Sequence, residues 1–239
     1  GVAVVKDNKI IYDNYFGVKN LETGEKVDAQ TIFRIASISK SFTSTALMQL
    51  VEQGKVTLGT DVGDLMGFQV RNPKYPETVI TLEMLLSHTS GLSDTLGYFT
   101  LDVINPATNP DFAGCYNDYE PGKGYQYCNL NFNMAGTILE KLSGERFDQY
   151  IVNHILNPLG LYGGYDNDAL DSTRFATLYS YNPENDSLEA QPGAYKSRAE
   201  DIANYITGYT TPIFSPTGGM KISTTDLAKY MMMHMNYGL

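Results

Sequence analysis

Residues 33–43 read Phe33-Arg34-Ile35-Ala36-Ser37-Ile38-Ser39-Lys40-Ser41-Phe42-Thr43. Apolar residues recur every four positions from Ile38 to Leu50, which predicts a helix over residues 38–51. Ser37 and Lys40 stand three residues apart at the start of this helix, so their side chains share one face. A free serine hydroxyl is a poor nucleophile, and a neighbouring lysine can accept its proton. The spacing therefore makes Ser37 a candidate nucleophile.

The composition is that of a globular protein and excludes several functions. The chain has 239 residues, of which 42% are hydrophobic, and a formal net charge of −10. A nucleic-acid partner is not expected, because phosphate binding needs a basic surface. No apolar run reaches the roughly 20 residues that span a bilayer, so no transmembrane segment is expected. The first residues also lack the pattern of a signal peptide.

Cysteine and histidine spacing predicts neither a metal nor another cofactor. Cys115 and Cys128 are not in Cys-x-x-Cys spacing, and two unpaired thiols are the favoured interpretation, with one disulfide as the alternative. His88, His154 and His234 lie far apart in sequence, and none has a second ligand at helical spacing. His88 is expected to be a structural histidine bonded to the backbone rather than a catalytic group.

Residue patterns along the chain predict one hairpin, several helices and long loops. The hairpin joins residues 2–5 and 9–12 through Asp7-Asn8. Helices are predicted at 82–86 after the capping residue Thr81, at 130–143, at 147–156, and after Thr225-Asp226. Residues 92–127 form a long loop region. Since two strands rarely make a stable sheet, further strands are expected within 165–215 or beyond Leu239.

Tyr127-Cys128-Asn129 is the best candidate for a second catalytic group. The triplet follows the turn Pro121-Gly122-Lys123-Gly124 at a predicted junction between loop and helix, where side chains can point into a cleft. A phenol whose pKa is lowered by a nearby lysine can carry protons. The Asn129 amide can bond a substrate carbonyl or the lysine. Tyr98, Tyr116, Tyr119 and Tyr125, in the loop before the triplet, could either rim this cleft or close a small core.

Five segments in order resemble the serine β-lactamase and penicillin-binding protein family, in the branch of class C β-lactamases, D-Ala-D-Ala carboxypeptidases and related esterases. The first is residues 33–43, which resemble the nucleophile motif. The others are Leu85-Leu86-Ser87-His88-Thr89-Ser90-Gly91-Leu92, residues 121–129 with the helix 136–144, Asn157-Pro158-Leu159-Gly160-Leu161, and Ser215-Pro216-Thr217-Gly218-Gly219-Met220. One such match would carry little weight, whereas five in the same order are hard to produce by chance.

The resemblance implies a fold and a set of roles. The fold class is α+β, an antiparallel sheet flanked by helices with a mostly helical second region. Residues 1–239 would be one catalytic domain, with the hairpin in 1–25 and a helical and loop region over about 60–210. Ser37 would form an acyl-enzyme, Lys40 and Tyr127 would move its proton, and Asn129 would orient Lys40 and bind the substrate. Substrates would be β-lactams, D-Ala-D-Ala-type peptides or related esters.

One element of the family pattern is missing. The third motif, Lys or His, one residue and then Gly, has no convincing match after Gly219. Its strand supplies one of two oxyanion donors, and the family pairs its first hairpin with strands near that end. The expectation is therefore a domain truncated at its C-terminal end, with an incomplete sheet. The alternative function is a catalytically impaired module that binds peptide or cell wall. Either protein is expected in the periplasm, secreted or at the bacterial cell envelope.

Overall fold

The computed structural model describes residues 1–238, which form two compact units. One unit combines residues 1–35, 152–204 and 219–238, and the other combines residues 36–151 and 205–218. The predicted α+β class is confirmed, because both units carry helices and all strand pairs in the sheets are antiparallel. The single domain over 1–239 stays a prediction.

The first unit contains three small sheets. Its strands are β1 (Val2–Lys6), β2 (Lys9–Asn14), β3 (Ile32–Arg34), β4 (Gly163–Gly164), β5 (Tyr179–Asn182), β6 (Ser187–Ala190) and β7 (Lys221–Ser223). The sheets pair β1 with β2, β5 with β6, and β3 and β4 on either side of β7. The predicted hairpin is confirmed, and both turn residues, Asp7 and Asn8, have the positive φ that such a turn requires.

Strands did appear within 165–215, but they do not extend the N-terminal hairpin. β5 and β6 pair with each other, and β1 and β2 do the same, so within residues 1–238 each pair is a separate sheet. Of the α-helices within residues 1–238, two belong to this unit, α6 (Ala199–Ala203) and α7 (Thr224–Met235). The cap of α7 is Ser223, whose hydroxyl accepts from the Asp226 N–H at 3.0 Å. The last helix thus begins one residue before the predicted Thr225-Asp226.

The second unit is helical. Its helices are α1 (Ser39–Glu52), α2 (Val62–Met66), α3 (Leu82–Leu86), α4 (Asn129–Ser143) and α5 (Phe147–Ile151). The predicted helices at 38–51, 82–86 and 130–143 are confirmed to within a residue, and Gly144 ends α4 in the left-handed conformation. The predicted helix over 147–156 is confirmed in its extent, with α5 over the first half and a π-helical turn over residues 152–156. Within the described residues 1–238, no helix is long and apolar enough to cross a bilayer.

Helix α4 is the centre of this unit. Residues 130–140 are all buried, and the helix packs against α1, α2, α3 and α5. Several of its buried residues are polar and are satisfied by hydrogen bonds, as burial requires. The Glu140 carboxylate accepts from the N–H groups of Phe147 and Gly208, both at 2.8 Å, and from the Tyr205 hydroxyl. These bonds fix the returning segment 205–218 against α4.

Gly136 in α4 allows the segment 205–218 to approach the helix closely. A Cβ on Gly136 would lie 2.4 Å from Pro216 Cγ, so any larger residue would push the segment away. On the other side, the Thr43 hydroxyl in α1 donates to the Pro216 carbonyl at 3.1 Å. Thr217, the next residue, is thereby held beside the first turn of α1.

Candidate active site

The turn before α1 presents Ser37 to solvent and Lys40 to the interior. Ala36–Ile38 form a 3₁₀ turn, and Ala36 has φ of 46°, a left-handed conformation that is strained for alanine. Ser37 is exposed, whereas Lys40 is only 6% exposed. Their side chains meet as the spacing predicted, with Lys40 Nζ 3.2 Å from Ser37 Oγ.

The Lys40 amine lies within hydrogen-bond distance of four oxygen atoms. Besides Ser37, they are Tyr127 Oη at 2.6 Å, Asn129 Oδ1 at 2.9 Å and the Thr217 carbonyl at 3.0 Å. An ammonium has three hydrogens, so it cannot serve all four at once. The three shorter contacts use those hydrogens, which leaves Ser37 to exchange its proton with another group.

Tyr127 is that other group. Its hydroxyl lies 2.6 Å from Ser37 Oγ and 2.6 Å from Lys40 Nζ. Burial acts to raise the pKa of Tyr127, but its hydrogen bonds with Lys40 and Ser37 and the charge of Lys40 outweigh that effect, so this pKa is below the ordinary value. The phenol therefore ionises more readily than a free tyrosine, and it lies within hydrogen-bond distance of the serine hydroxyl.

Asn129 begins α4 and turns its amide oxygen toward Lys40. Its Nδ2 donates to Asp94 Oδ2 at 2.9 Å, on the side away from the lysine. All four predicted site residues therefore lie together in one unit. Their catalytic and binding roles stay predictions, whereas their mutual placement is an observation of the structure.

The His88 ring packs against the Tyr127 ring. Its Nδ1 accepts from the Cys128 N–H at 3.2 Å, as expected for a structural histidine, and its ring lies 4.6 Å from the Tyr127 ring, centroid to centroid. Burial, followed by the charge of Lys40, lowers the pKa of His88. A neutral imidazole with Nδ1 as acceptor fits this position. The ring packs against the Tyr127 phenol without donating a hydrogen bond to it.

Sequence reasoning missed two contributors, Asp94 and the carbonyl of Thr217. Asp94 lies in the loop region 92–127, where nothing in the residue pattern separates it from other polar loop residues. The segment 215–220 was noted for its resemblance, but a backbone carbonyl has no residue signature of its own. The order of motifs was the only signal that could have directed attention to Thr217.

The tyrosines and cysteines around the site have different environments. Tyr116 is buried in the core, whereas Tyr125 is 68% exposed and packs edge-on against His88 at 6.1 Å. Cys115 and Cys128 are free, buried thiols. Within residues 1–238, no group of three or more His, Cys, Asp or Glu side chains is arranged to hold a metal ion.

An exposed serine in contact with a tyrosine, which in turn contacts a buried lysine, defines a candidate site for nucleophilic acyl transfer. The chain belongs to the Beta-lactamase family, whose sequence profile matches residues 1–238. The family resemblance inferred from the five segments is thereby confirmed.

Individual relatives agree with this assignment. The chain is 30% identical over 229 residues to penicillin-binding protein 4 of Amycolatopsis lactamdurans, covering 93% of this chain and 56% of that protein. It is 25% identical over 248 residues to protein flp of Staphylococcus aureus strain MW2, covering 98% of this chain and 45% of that protein. An octameric penicillin-binding protein homologue from Pyrococcus abyssi superposes with a TM-score of 0.76 at 28% identity, covering 99% of this chain and 52% of that one. The chain thus spans about half the length of the relatives that it matches.

Proposed function

We propose that the protein is a serine hydrolase that forms an acyl-enzyme on Ser37. The observation that carries the proposal is the position of the Tyr127 hydroxyl, 2.6 Å from both Ser37 Oγ and Lys40 Nζ. This geometry pairs a nucleophile with a base and pairs the base with a positive charge that stabilises its ionised form. Membership of the Beta-lactamase family supports the same chemistry.

The proposed reaction begins with ionised Tyr127. Its phenolate takes the proton of Ser37, and Ser37 Oγ bonds to the substrate carbonyl carbon. The intermediate then breaks the bond to the leaving group, which takes from Tyr127 the proton that came from Ser37. In the second half, the Tyr127 phenolate takes a proton from water, whose oxygen bonds to the acyl carbon. The bond from that carbon to Ser37 Oγ then breaks, and Ser37 Oγ takes the proton from Tyr127, which restores both side chains. Lys40 keeps its charge throughout and holds Tyr127, Asn129 and the Thr217 carbonyl in place.

Ser37 and Asn129 also supply groups for substrate binding. The N–H of Ser37, at the turn that leads into α1, is proposed as one oxyanion donor, a position where the positive end of the helix dipole favours a developing negative charge. Asn129 Oδ1 is bonded to Lys40 and one Nδ2 hydrogen to Asp94, which leaves its second Nδ2 hydrogen for a substrate carbonyl.

The proposed substrates are β-lactams, D-Ala-D-Ala-type peptides and related esters, and the proposed location is the periplasm, the cell envelope or the exterior. Two of the similar proteins are named as a penicillin-binding protein and a penicillin-binding protein homologue, which supports this class of substrates. All three kinds of substrate present a carbonyl to a nucleophile, and they differ in how readily water removes the acyl group.

The test is intact-mass spectrometry of the protein after exposure to a penicillin and, separately, to a fluorophosphonate. We expect a single adduct that peptide mapping locates to Ser37. Nitrocefin turnover, D-Ala release from a D-Ala-D-Ala peptide and hydrolysis of a nitrophenyl ester then distinguish the three substrates. Calorimetric binding of the peptide without an adduct from any reagent would instead identify a binding module and overturn the proposal.

Replacing Tyr127 with phenylalanine is expected to slow acylation by about 10²-fold to 10⁴-fold, the usual contribution of a general base. Because the phenolate is the active form, the wild-type rate should rise with pH through an apparent pKa below the roughly 10 of free tyrosine. Stopped-flow acylation across pH measures both effects, and the rising limb should be absent in the variant.

Tyr125→Phe is the matched control. It removes an exposed phenol two residues away that contacts neither Ser37 nor Lys40 by hydrogen bond, and it should keep the wild-type profile. A Tyr127→Phe variant that retained the rising limb would assign the base to another group.

A further inference from the structure

The N-terminus of α4 is capped by a residue from a distant loop. Cys128, which precedes the helix, makes no side-chain capping bond. Asp94 performs this task instead, with Oδ2 accepting from the Asn129 N–H at 2.9 Å and Oδ1 from the Leu130 N–H at 3.0 Å. A carboxylate is well placed there, because it satisfies unpaired N–H groups and lies at the positive end of the helix dipole.

The same carboxylate determines the orientation of the Asn129 amide. Asp94 Oδ2 accepts from Asn129 Nδ2 at 2.9 Å, while Asn129 Oδ1 accepts from Lys40 Nζ at 2.9 Å. An ionised carboxylate only accepts hydrogen bonds, and an ammonium only donates them. The amide between them can therefore satisfy both neighbours in one orientation alone.

We propose that Asp94 is a positioning residue that acts on the reaction through Asn129, a role that rests on the proposed acyl-enzyme function. By holding Nδ2, Asp94 keeps Oδ1 directed at Lys40 and keeps the second Nδ2 hydrogen available to the substrate. If the amide rotated, its NH₂ group would face the Lys40 ammonium, donor against donor. Lys40 would then shift away from Asn129, and its contact with Tyr127 would change as well.

A cap alone would need only the two backbone N–H bonds of Asn129 and Leu130. Asp94 accepts two more bonds, one from the Cys128 thiol at 3.2 Å and one from Asn129 Nδ2 at 2.9 Å. The bond from Asn129 Nδ2 adds nothing to the helix end but connects Asp94 to Lys40 through one side chain. This bond separates a positioning role from a purely structural one, and experiments can address it independently of the cap.

The decisive experiment is a double-mutant cycle on the rate of Ser37 acylation by a fluorophosphonate. Asp94→Asn keeps the shape but replaces one acceptor oxygen with a donor, and we expect acylation to slow by about 10-fold to 100-fold, as small misplacements in active sites do. In the Asn129→Ala background the same substitution should change the rate by less than about 2-fold, because the side chain through which Asp94 acts is gone. An equal loss in both backgrounds would show a structural role and overturn the proposal.

An exchanged pair tests the same bond in the opposite direction. Asn129→Asp alone places two carboxylates together and should abolish measurable acylation. Adding Asp94→Asn restores a donor between the two side chains, with an oxygen still facing Lys40, and should recover the rate at least about 10-fold. Failure of the pair to exceed the single Asn129→Asp variant would contradict the proposal.

Two further measurements distinguish a positioning role of Asp94 from a general loss of stability and from failure of the proposed acyl-enzyme function. Ser223→Ala removes the cap of α7 and serves as a control for lost stability, and it should leave acylation at the wild-type rate. If the wild-type protein forms no adduct, the proposed function fails, but the Asn129 Nδ2 protons can still be followed by NMR. Slow exchange of one of them in the wild type, lost in Asp94→Asn, supports the positioning role, and equal exchange in both refutes it.

Discussion

Replacing Ser37 with alanine is expected to remove covalent labelling altogether and to lower any hydrolytic rate by about 10⁴-fold or more, since catalytic groups that act as a unit fail together when the nucleophile is lost. Ser37 is exposed, and its Oγ contacts only Lys40 and Tyr127 among the hydrogen bonds identified in residues 1–238. The fold should therefore be unaffected, because no buried packing is removed. Intact-mass spectrometry with a fluorophosphonate and a penicillin measures the loss.

Ser41→Ala is the matched control for this substitution. Ser41 lies in the first turn of α1, directly after the 3₁₀ turn that holds Ser37, and its hydroxyl donates to the Ile38 carbonyl at 2.8 Å rather than into the site. We expect this variant to label at the wild-type rate. If Ser37→Ala were labelled at an equal rate, a different nucleophile would be responsible and the acyl-enzyme on Ser37 would be abandoned.

Ser37→Ala also distinguishes catalysis from binding. Asn129 and the turn before α1 remain in place, so the variant should still bind a substrate peptide that it cannot cleave. Calorimetry with a D-Ala-D-Ala peptide should give similar dissociation constants for the variant and the wild type. A large loss of affinity would mean that the hydroxyl contributes to binding the ground state.

The parts of the fold that could be predicted from sequence are those that repeat a simple pattern. Helix α4 was recognisable from apolar residues at helical spacing and from Gly144 at its end. The strands β3 and β7 were not, because three residues are too few to establish an alternating pattern. The π-helical turn after α5 was also invisible, since it changes the hydrogen-bond partners and leaves the apolar spacing intact.

In the candidate site, too, some residues could be predicted from the sequence and others could not. Ser37, Lys40, Tyr127 and Asn129 could be named because each carries a side chain suited to the chemistry and stands in a motif with a fixed order. Asp94 could not, because its contribution depends on where a long loop crosses the start of α4. The carbonyl of Thr217 reaches Lys40 only because Gly136 allows Pro216 to approach the helix. Such tertiary contacts have no local signature in the sequence.

Replacing Lys40 with methionine is expected to slow acylation by about 10³-fold or more while changing the free energy of unfolding by less than about 2 kcal/mol. The rate falls because Tyr127 loses the positive charge that keeps its pKa below the ordinary value. Stability changes little because two effects oppose each other. Methionine avoids the cost of burying an ammonium, which is several kcal/mol, but leaves the Asn129 and Thr217 oxygens without their donor, at about 1–3 kcal/mol each.

Lys141→Met provides the control, because Lys141 also donates to backbone carbonyls, those of Leu65 and Met66, but lies outside the site. It should acylate at the wild-type rate. The acylation rate of Lys40→Met is measured by stopped flow, and its free energy of unfolding by urea denaturation.

Since Lys40 and Tyr127 are proposed to act as one unit, the Lys40→Met/Tyr127→Phe double variant should be no slower than the slower of the two single variants. Losses that multiplied in the double variant would mean that each residue acts on Ser37 separately, and the proton path would then run through Lys40 as well as through Tyr127.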